Sequence, residues 1–389
     1  MKFFFKTCFI FSSLYAGRIS YDIDMSPYAG ANNLLFATDL IEQIQPFKES
    51  NSWKARFGRF NELILFYLPL NYFTSIVQHE VFGHGYRIRD IDHGIVRVHG
   101  YQFTFPPPYG SGSASTRFSI DVDRITPTDL TTISIAGLEA QSILALQTKF
   151  NWLGLNAMDA RESVLYLVSQ FALNLYASGN GDDSHDLVGY IHLLNYTYTD
   201  TLLTEERIRN LSWINLADPF TYFSVYAWFH YLVSGKQTAI PMIPIKSWGY
   251  LFGARLGLTP FGPEYFFDHY LMKEARPIYF YLRAGAHSNN TYFGAGFYSP
   301  TLFKKKRWAF GGRLDVWRQP ELLLFGEPPY SSMEQHQQLM GIASSVICSY
   351  QKNRWLGFET EIGFKTKGFV PGYSLFASPI IRISYLSSF

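Results

Sequence analysis

Ile278-Tyr-Phe-Tyr-Leu-Arg-Ala-Gly-Ala-His287 decides the fold class of the C-terminal third of this chain. Ile278, Phe280, Leu282, Ala284 and Ala286 fall on one side, and Tyr279, Tyr281, Arg283 and His287 on the other. A period of two is that of a pleated strand with two distinct faces. The same alternation begins near Ile245 and recurs in Trp248–Leu258, Tyr265–Met272, Tyr292–Tyr298, Trp308–Val316, Met340–Tyr350, Leu356–Phe364 and Ile381–Phe389. About eight strands follow, and about 9–11 tilted residues per strand cross a bilayer. Eight strands also close the smallest common barrel, with side chains filling its interior. Lys304-Lys305-Lys306 reads as a solvated hairpin end and Gly326–Gln337 as a longer loop.

Composition points the same way. Only 16% of the 389 residues are charged while 18% are aromatic, and 47% are hydrophobic. That balance excludes a disordered chain, which needs few aromatics and much charge. A net charge of +2 leaves no basic footprint, so nucleic acid is not an expected partner. Few charges with many aromatics suit a membrane β-barrel, whose apolar and polar residues alternate. The end at Phe389, with apolar residues two apart behind it, resembles the C-terminal signal of bacterial outer-membrane barrel proteins. The resemblance implies a lipid bilayer as partner and the outer membrane of a Gram-negative bacterium as location.

The first residues, Met-Lys-Phe-Phe-Phe-Lys-Thr-Cys, lead into an apolar run and then small residues, so 1–18 reads as an export signal. With Cys8 inside it, Cys348 has no intrachain partner. Leu63–Val77 and Pro219–Val233 are too short, and too interrupted by Pro69, Asn71 and His230, for confident spanning helices.

Residues 19–240 read as a mainly helical domain. Apolar residues recur at helical spacing in Ala31–Gln45, Asn61–His84, Leu130–Gln147, Arg161–Ala177, Asp186–Tyr196 and Pro219–Val233. Gly94–Phe105 and Thr116–Val122 read as a small β insertion joined by the loop Pro106–Ser115. The expected fold is therefore α+β: a mainly helical domain with a small β insertion, followed by an antiparallel barrel over 241–389. The motif Gln78–Gly85 within the helical part is what makes that domain zincin-like and metal-binding.

The chemistry sits in Gln78-His-Glu-Val-Phe-Gly-His-Gly85. Two neutral imidazoles can hold Zn²⁺ while the Glu beside the first takes a proton from water at the metal. Histidines four apart share a helix face, but His79 and His84 are five apart, about 140° round a regular α-helix. A one-residue π-bulge absorbs the extra residue, and Gly83 makes that distortion cheap. The His-Glu-x-x-Gly-His pattern resembles the zinc motif of the dipeptidyl peptidase III metallopeptidases. That resemblance implies His79 and His84 as ligands, Glu80 as catalytic base and, on a later helix, Glu139 as third ligand. It covers two short segments, and Leu138 and Ile143 replace the family's companion acids, so exopeptidase specificity is not implied.

In Gly179-Asn-Gly-Asp-Asp-Ser-His-Asp186, the residues Asp182, Asp183 and His185 are candidates for orienting a ligand histidine. The alternative there is a turn and helix N-cap. His99, on a strand, and Tyr190, on a helix, are candidate donors to an oxyanion. The expected function is zinc-dependent hydrolysis of amide bonds in a peptide or protein substrate, anchored in the outer membrane. Two other readings stay open: a non-enzymatic outer-membrane structural or adhesive protein, and an inner-membrane intramembrane metalloprotease.

Overall fold

The computed structural model describes residues 17–44, 49–179, 185–199, 202–324 and 337–387. Strand β1 (Gly17–Asp22) leads into helix α1 (Pro27–Ile44). Helix α2 (Trp53–Asn61) continues through a π-helical turn, Glu62–Tyr67, into α3 (Leu68–His79). A second π-helical turn, Glu80–His84, carries the chain into α4 (Gly85–Ile91). The hairpin β2 (Val96–Phe103) and β3 (Ala114–Ile120) comes next, as the β insertion in the sequence suggests. Then follow α5 (Pro127–Leu155), α6 (Ser163–Gln170), α7 (Ala172–Ser178) and α8 (Asp186–Thr197). Helix α9 (Glu205–Ser212) and a 3₁₀ turn, Trp213–Ala217, precede α10 (Pro219–Ser234).

The rest is strand. β4 (Ile243–Ile245), β5 (Trp248–Thr259), β6 (Gly262–Lys273), β7 (Arg276–His287) and β8 (Asn290–Lys305) run into β9 (Trp308–Pro320), β10 (Gln338–Gln351), β11 (Gly357–Lys365) and β12 (Ser378–Ser387). The eight strands read from the alternation are β5 to β12. The sheet, however, has ten strands in the order β1-β12-β11-β10-β9-β8-β7-β6-β5-β4, and it is open, not a closed eight-stranded barrel. Gly17 and Arg18, the last two residues of the expected export signal, belong to β1, and 1–16 lie outside the described residues.

At both edges a helical side chain bonds backbone groups that have no strand partner. Asn33 on α1 straddles Ser20 of β1, its Oδ1 accepting from Ser20 N–H (2.6 Å) and its Nδ2 donating to the Ser20 carbonyl (3.0 Å). At the other edge β4 covers only Trp248–Tyr250 of β5, and Pro244 brings no N–H to it. Beyond β4, Asn215 from the 3₁₀ turn accepts the N–H of Leu256 at 2.8 Å. An unpaired buried backbone group costs about 1–3 kcal/mol, so each amide removes part of the drive to close the sheet.

Helix α5 packs on the face of the sheet that bears Arg255, whose guanidinium donates to Ser142 Oγ at 3.1 Å. Thr126 and Asp129 form a reciprocal capping box at its start, and Asn156 ends it in a left-handed conformation (φ 49°). Its 29 residues span about 43 Å and are buried on almost every side. Near its end Phe150 packs edge-on against Tyr279 and Tyr298, with ring centroids 5.6 and 5.0 Å away. Truncating such a ring costs about 3–5 kcal/mol.

The sheet has inverted polarity. Its inner face buries ion pairs: Arg255–Asp268 (3.0 Å), Arg283–Glu264 (3.0 Å) and Arg382–Glu361 (2.7 Å). Its outer face exposes Leu282, Phe293, Val346, Ile362 and Ile383. Among the described residues no helix is long and apolar enough to cross a membrane.

Candidate metal centre

His79 ends α3 and Glu80–His84 form the π-helical turn, in which Gly85 N–H donates to the Glu80 carbonyl five residues back. The wider turn cancels the angular offset of five-residue spacing. The two imidazoles meet with ring centroids 4.8 Å and Nε2 atoms 3.1 Å apart. Two glycines let this turn lie on α5. A Cβ on Gly83 would sit 2.7 Å from the Ala136 carbonyl oxygen, and one on Gly137 would sit 2.3 Å from the His79 ring. Gly83 thus serves close helix approach as well as the distortion itself.

The third group is Asp186, the first residue of α8. Its Oδ2 lies 2.9 Å from His79 Nε2 and 3.1 Å from His84 Nε2. His79, His84 and Asp186 are the only such cluster of three among the described residues. Glu139, expected as third ligand, is not in it. Arg87 binds both Glu139 oxygens at 2.8 and 2.9 Å, and Gly372 N–H donates to one of them at 2.6 Å. The reason is charge balance: Arg87 is fully buried, and a desolvated guanidinium requires carboxylates, here Glu139 and Asp90 (2.9 Å).

The tautomers follow from the partners. His79 Nδ1–H donates to Gln141 Oε1 at 3.0 Å, and Gln141 in turn donates to Ser75 Oγ. His84 Nδ1–H donates to the Ile133 carbonyl at 2.8 Å. Each Nδ1 faces an oxygen that can only accept, so each Nε2 turns a lone pair toward the carboxylate of Asp186. Zn²⁺ with tetrahedral bonds of about 2.0–2.2 Å spaces its ligand atoms about 3.3–3.6 Å apart. The spacings here, 2.9–3.1 Å, need little expansion to take such an ion.

Without an ion a proton holds these lone pairs together. Burial disfavours the His84 imidazolium, but Asp186 and Glu80 overcome it and raise the pKa to about 9. Burial would also raise Asp186, yet His84 and His79 hold it well below the usual carboxylate range.

Glu80, beside His79, is held from β3: Thr116 Oγ1 donates to its Oε2 at 2.7 Å. Tyr176 of α7 was not anticipated. Its hydroxyl lies 3.2 Å from His79 Nε2 and its ring stacks on that imidazole. Burial pushes its pKa up, so it remains a phenol able to donate. His79 and His84 are buried, whereas the Asp186 side chain is 23% exposed, so the centre opens on the α8 side.

The other sequence candidates are elsewhere or outside view. His185 packs its ring on Tyr176 at 4.5 Å and so buttresses the centre indirectly. His99 is exposed on β2, bonded to Ser119 Oγ, and Tyr190 donates to the Thr259 carbonyl at 3.0 Å. Neither is at the centre. Asp182 and Asp183 lie outside the described residues. Asp186 left no distinguishing mark in the sequence, because an acid opening a helix also suits the helix dipole. No protein-family model, curated protein or solved structure matches the chain.

Proposed function

We propose that the chain is a zinc-dependent hydrolase of amide bonds, a metallopeptidase held in the outer membrane by its sheet. One observation carries the catalytic reading: two buried imidazoles whose tautomers are fixed by Gln141 and Ile133 aim their Nε2 lone pairs at one carboxylate oxygen. A dication answers that arrangement. His79, His84 and Asp186 would hold it, leaving a fourth position for water or substrate, and the ion would polarise a carbonyl and acidify water.

The remaining steps belong to the chain's own side chains. Glu80 accepts a proton from the attacking water and delivers it to the leaving amine. Thr116, bonded to one Glu80 oxygen, fixes that carboxylate and leaves the other oxygen for the proton. Tyr176 donates to the oxyanion that develops on the substrate carbonyl. Membrane anchoring is supported by the sheet's polarity, apolar outside and ion-paired inside. The inner-membrane alternative needs spanning helices, and among the described residues no helix is long and apolar enough. At the open sheet edges Asn33 and Asn215 pair backbone groups that lipid would otherwise strand.

Metal analysis of the purified full-length protein tests the centre. One zinc per chain, lost in Asp186→Ala and kept in Glu139→Gln, is the expected result. No zinc in the unaltered protein would leave the non-enzymatic outer-membrane reading.

A further inference from the structure

We infer that the end of the sheet opposite the metal centre docks on anionic phospholipid headgroups. This rests on the membrane reading above and gives it an orientation. In an antiparallel meander alternate hairpins share one end. The β4–β5, β6–β7, β8–β9 and β10–β11 hairpins therefore form one rim. That rim carries Lys246, then Lys273 and Arg276, then Lys304-Lys305-Lys306-Arg307, then Lys352 and Arg354. Nine basic residues stand against one acid, Glu274, which pairs with Arg276.

The opposite rim lacks that excess of positive charge. The turns at Thr259–Gly262 and His287–Asn290 hold no Lys, Arg, Asp or Glu. Among the described residues of connections 321–337 and 366–377, Glu321 and Lys367 carry the charge, and they pair at 3.7 Å. The metal centre lies toward this second rim, since Thr126 at the start of α5 bonds to the Leu323 carbonyl and Tyr190 of α8 to that of Thr259. In a chain of net charge +2, one end of the sheet thus carries nine basic residues against a single acid.

Tryptophans border the basic rim. Trp308 and Trp355 are exposed beside it, Lys273 Nζ sits 5.4 Å from the Trp248 ring centre, and Arg354 lies 4.5 Å from that of Trp355. Indole rings and cations together mark the level of lipid headgroups. The helical seam repeats the pattern: α2 exposes Trp53 and Phe57 with Lys54 and Arg56, and its Arg59 ties it to the Leu232 and Val233 carbonyls, near where α10 leads to β4. Each basic residue near an anionic surface strengthens binding by about fivefold at moderate salt.

The test compares full-length protein with the variant K304Q/K305Q/K306Q/K352Q/R354Q. Co-sedimentation is measured on phosphatidylcholine vesicles and on vesicles containing one third phosphatidylglycerol. The expected result is a loss of at least about tenfold in affinity for the anionic vesicles alone, disappearing in ~1 M salt. Equal binding to phosphatidylcholine shows that the variant is folded. Identical affinity of both proteins for anionic vesicles overturns the inference, as does displacement by ~10 mM inorganic phosphate, which would mark a free-anion site. Binding to no vesicle at all overturns the membrane reading itself.

Discussion

The sheet interior and the proposed metal centre both bury charge, but they resolve it differently. Inside the sheet most acids meet a cation: Arg283 with Glu264, Arg255 with Asp268, Arg382 with Glu361 and Asp22, while Asp315 accepts from the Tyr281 hydroxyl. Glu139 belongs to that class through Arg87. At the centre, Asp186 faces two imidazole lone pairs, and what completes it is an ion or a proton. Desolvated charge that the chain compensates itself is structural, whereas charge left for something else to compensate is the mark of a binding site.

The largest test of this contrast is on activity. Glu80→Gln is expected to lower turnover by about 10³-fold with zinc still bound, measured by peptide hydrolysis alongside metal content. Activity surviving that change would break the mechanism. On stability the ranking reverses. Arg283→Met should cost about 3–5 kcal/mol in denaturant unfolding by stranding Glu264, with zinc content unchanged. Glu139→Gln should likewise destabilise through Arg87 and keep the metal; if it instead released zinc, the two classes of site would have been misassigned. A smaller effect is expected for Thr116→Val, which frees the Glu80 carboxylate: turnover about tenfold lower, with zinc affinity unaltered.

A pH effect sharpens the comparison last. Asp39 on α1 is pushed up to about 7 by burial and by the Asp159 carboxylate, against the opposing pull of Arg161. Between its ordinary value of 3.8 and about 7 the folded chain holds a proton that the unfolded chain has lost. Stability from this group is therefore complete at acid pH and declines as pH rises through that window. Melting temperatures at pH 5 and pH 8 should converge in Asp39→Asn, and an unchanged difference would assign the effect to another group.

Much of the fold was readable because side-chain period reports faces directly. All eight strands from Trp248 onward alternate as read, and helices form over Ala31–Ile44, Leu130–Gln147 and Pro219–Val233, where helices are expected. The strands β1 and β4 escaped because six and three residues are too short to establish a period. Helix α9 escaped because its eight residues carry only two apolar positions, Ile208 and Leu211, too few to establish a period. The five-residue histidine spacing foretold a π-helical turn, because only a wider turn brings the rings together. Glu139 misled because an isolated acid in an apolar helix demands a partner without saying which. The buried Arg87, between Tyr86 and Ile88, was the overlooked signal.

What the sequence determined alone is local: strand faces, helix periods, the π turn and the pairing of Glu80 with His79. Those depend on neighbours within a few residues, whose spacing is written into the chain. What only tertiary structure decided is which distant groups meet: Asp186 with the histidines, Arg87 with Glu139, and Asn33 and Asn215 with the edges of an open sheet. Such encounters are settled by competition among buried polar groups for a limited set of partners, and that competition takes place only once the helices have packed against the sheet.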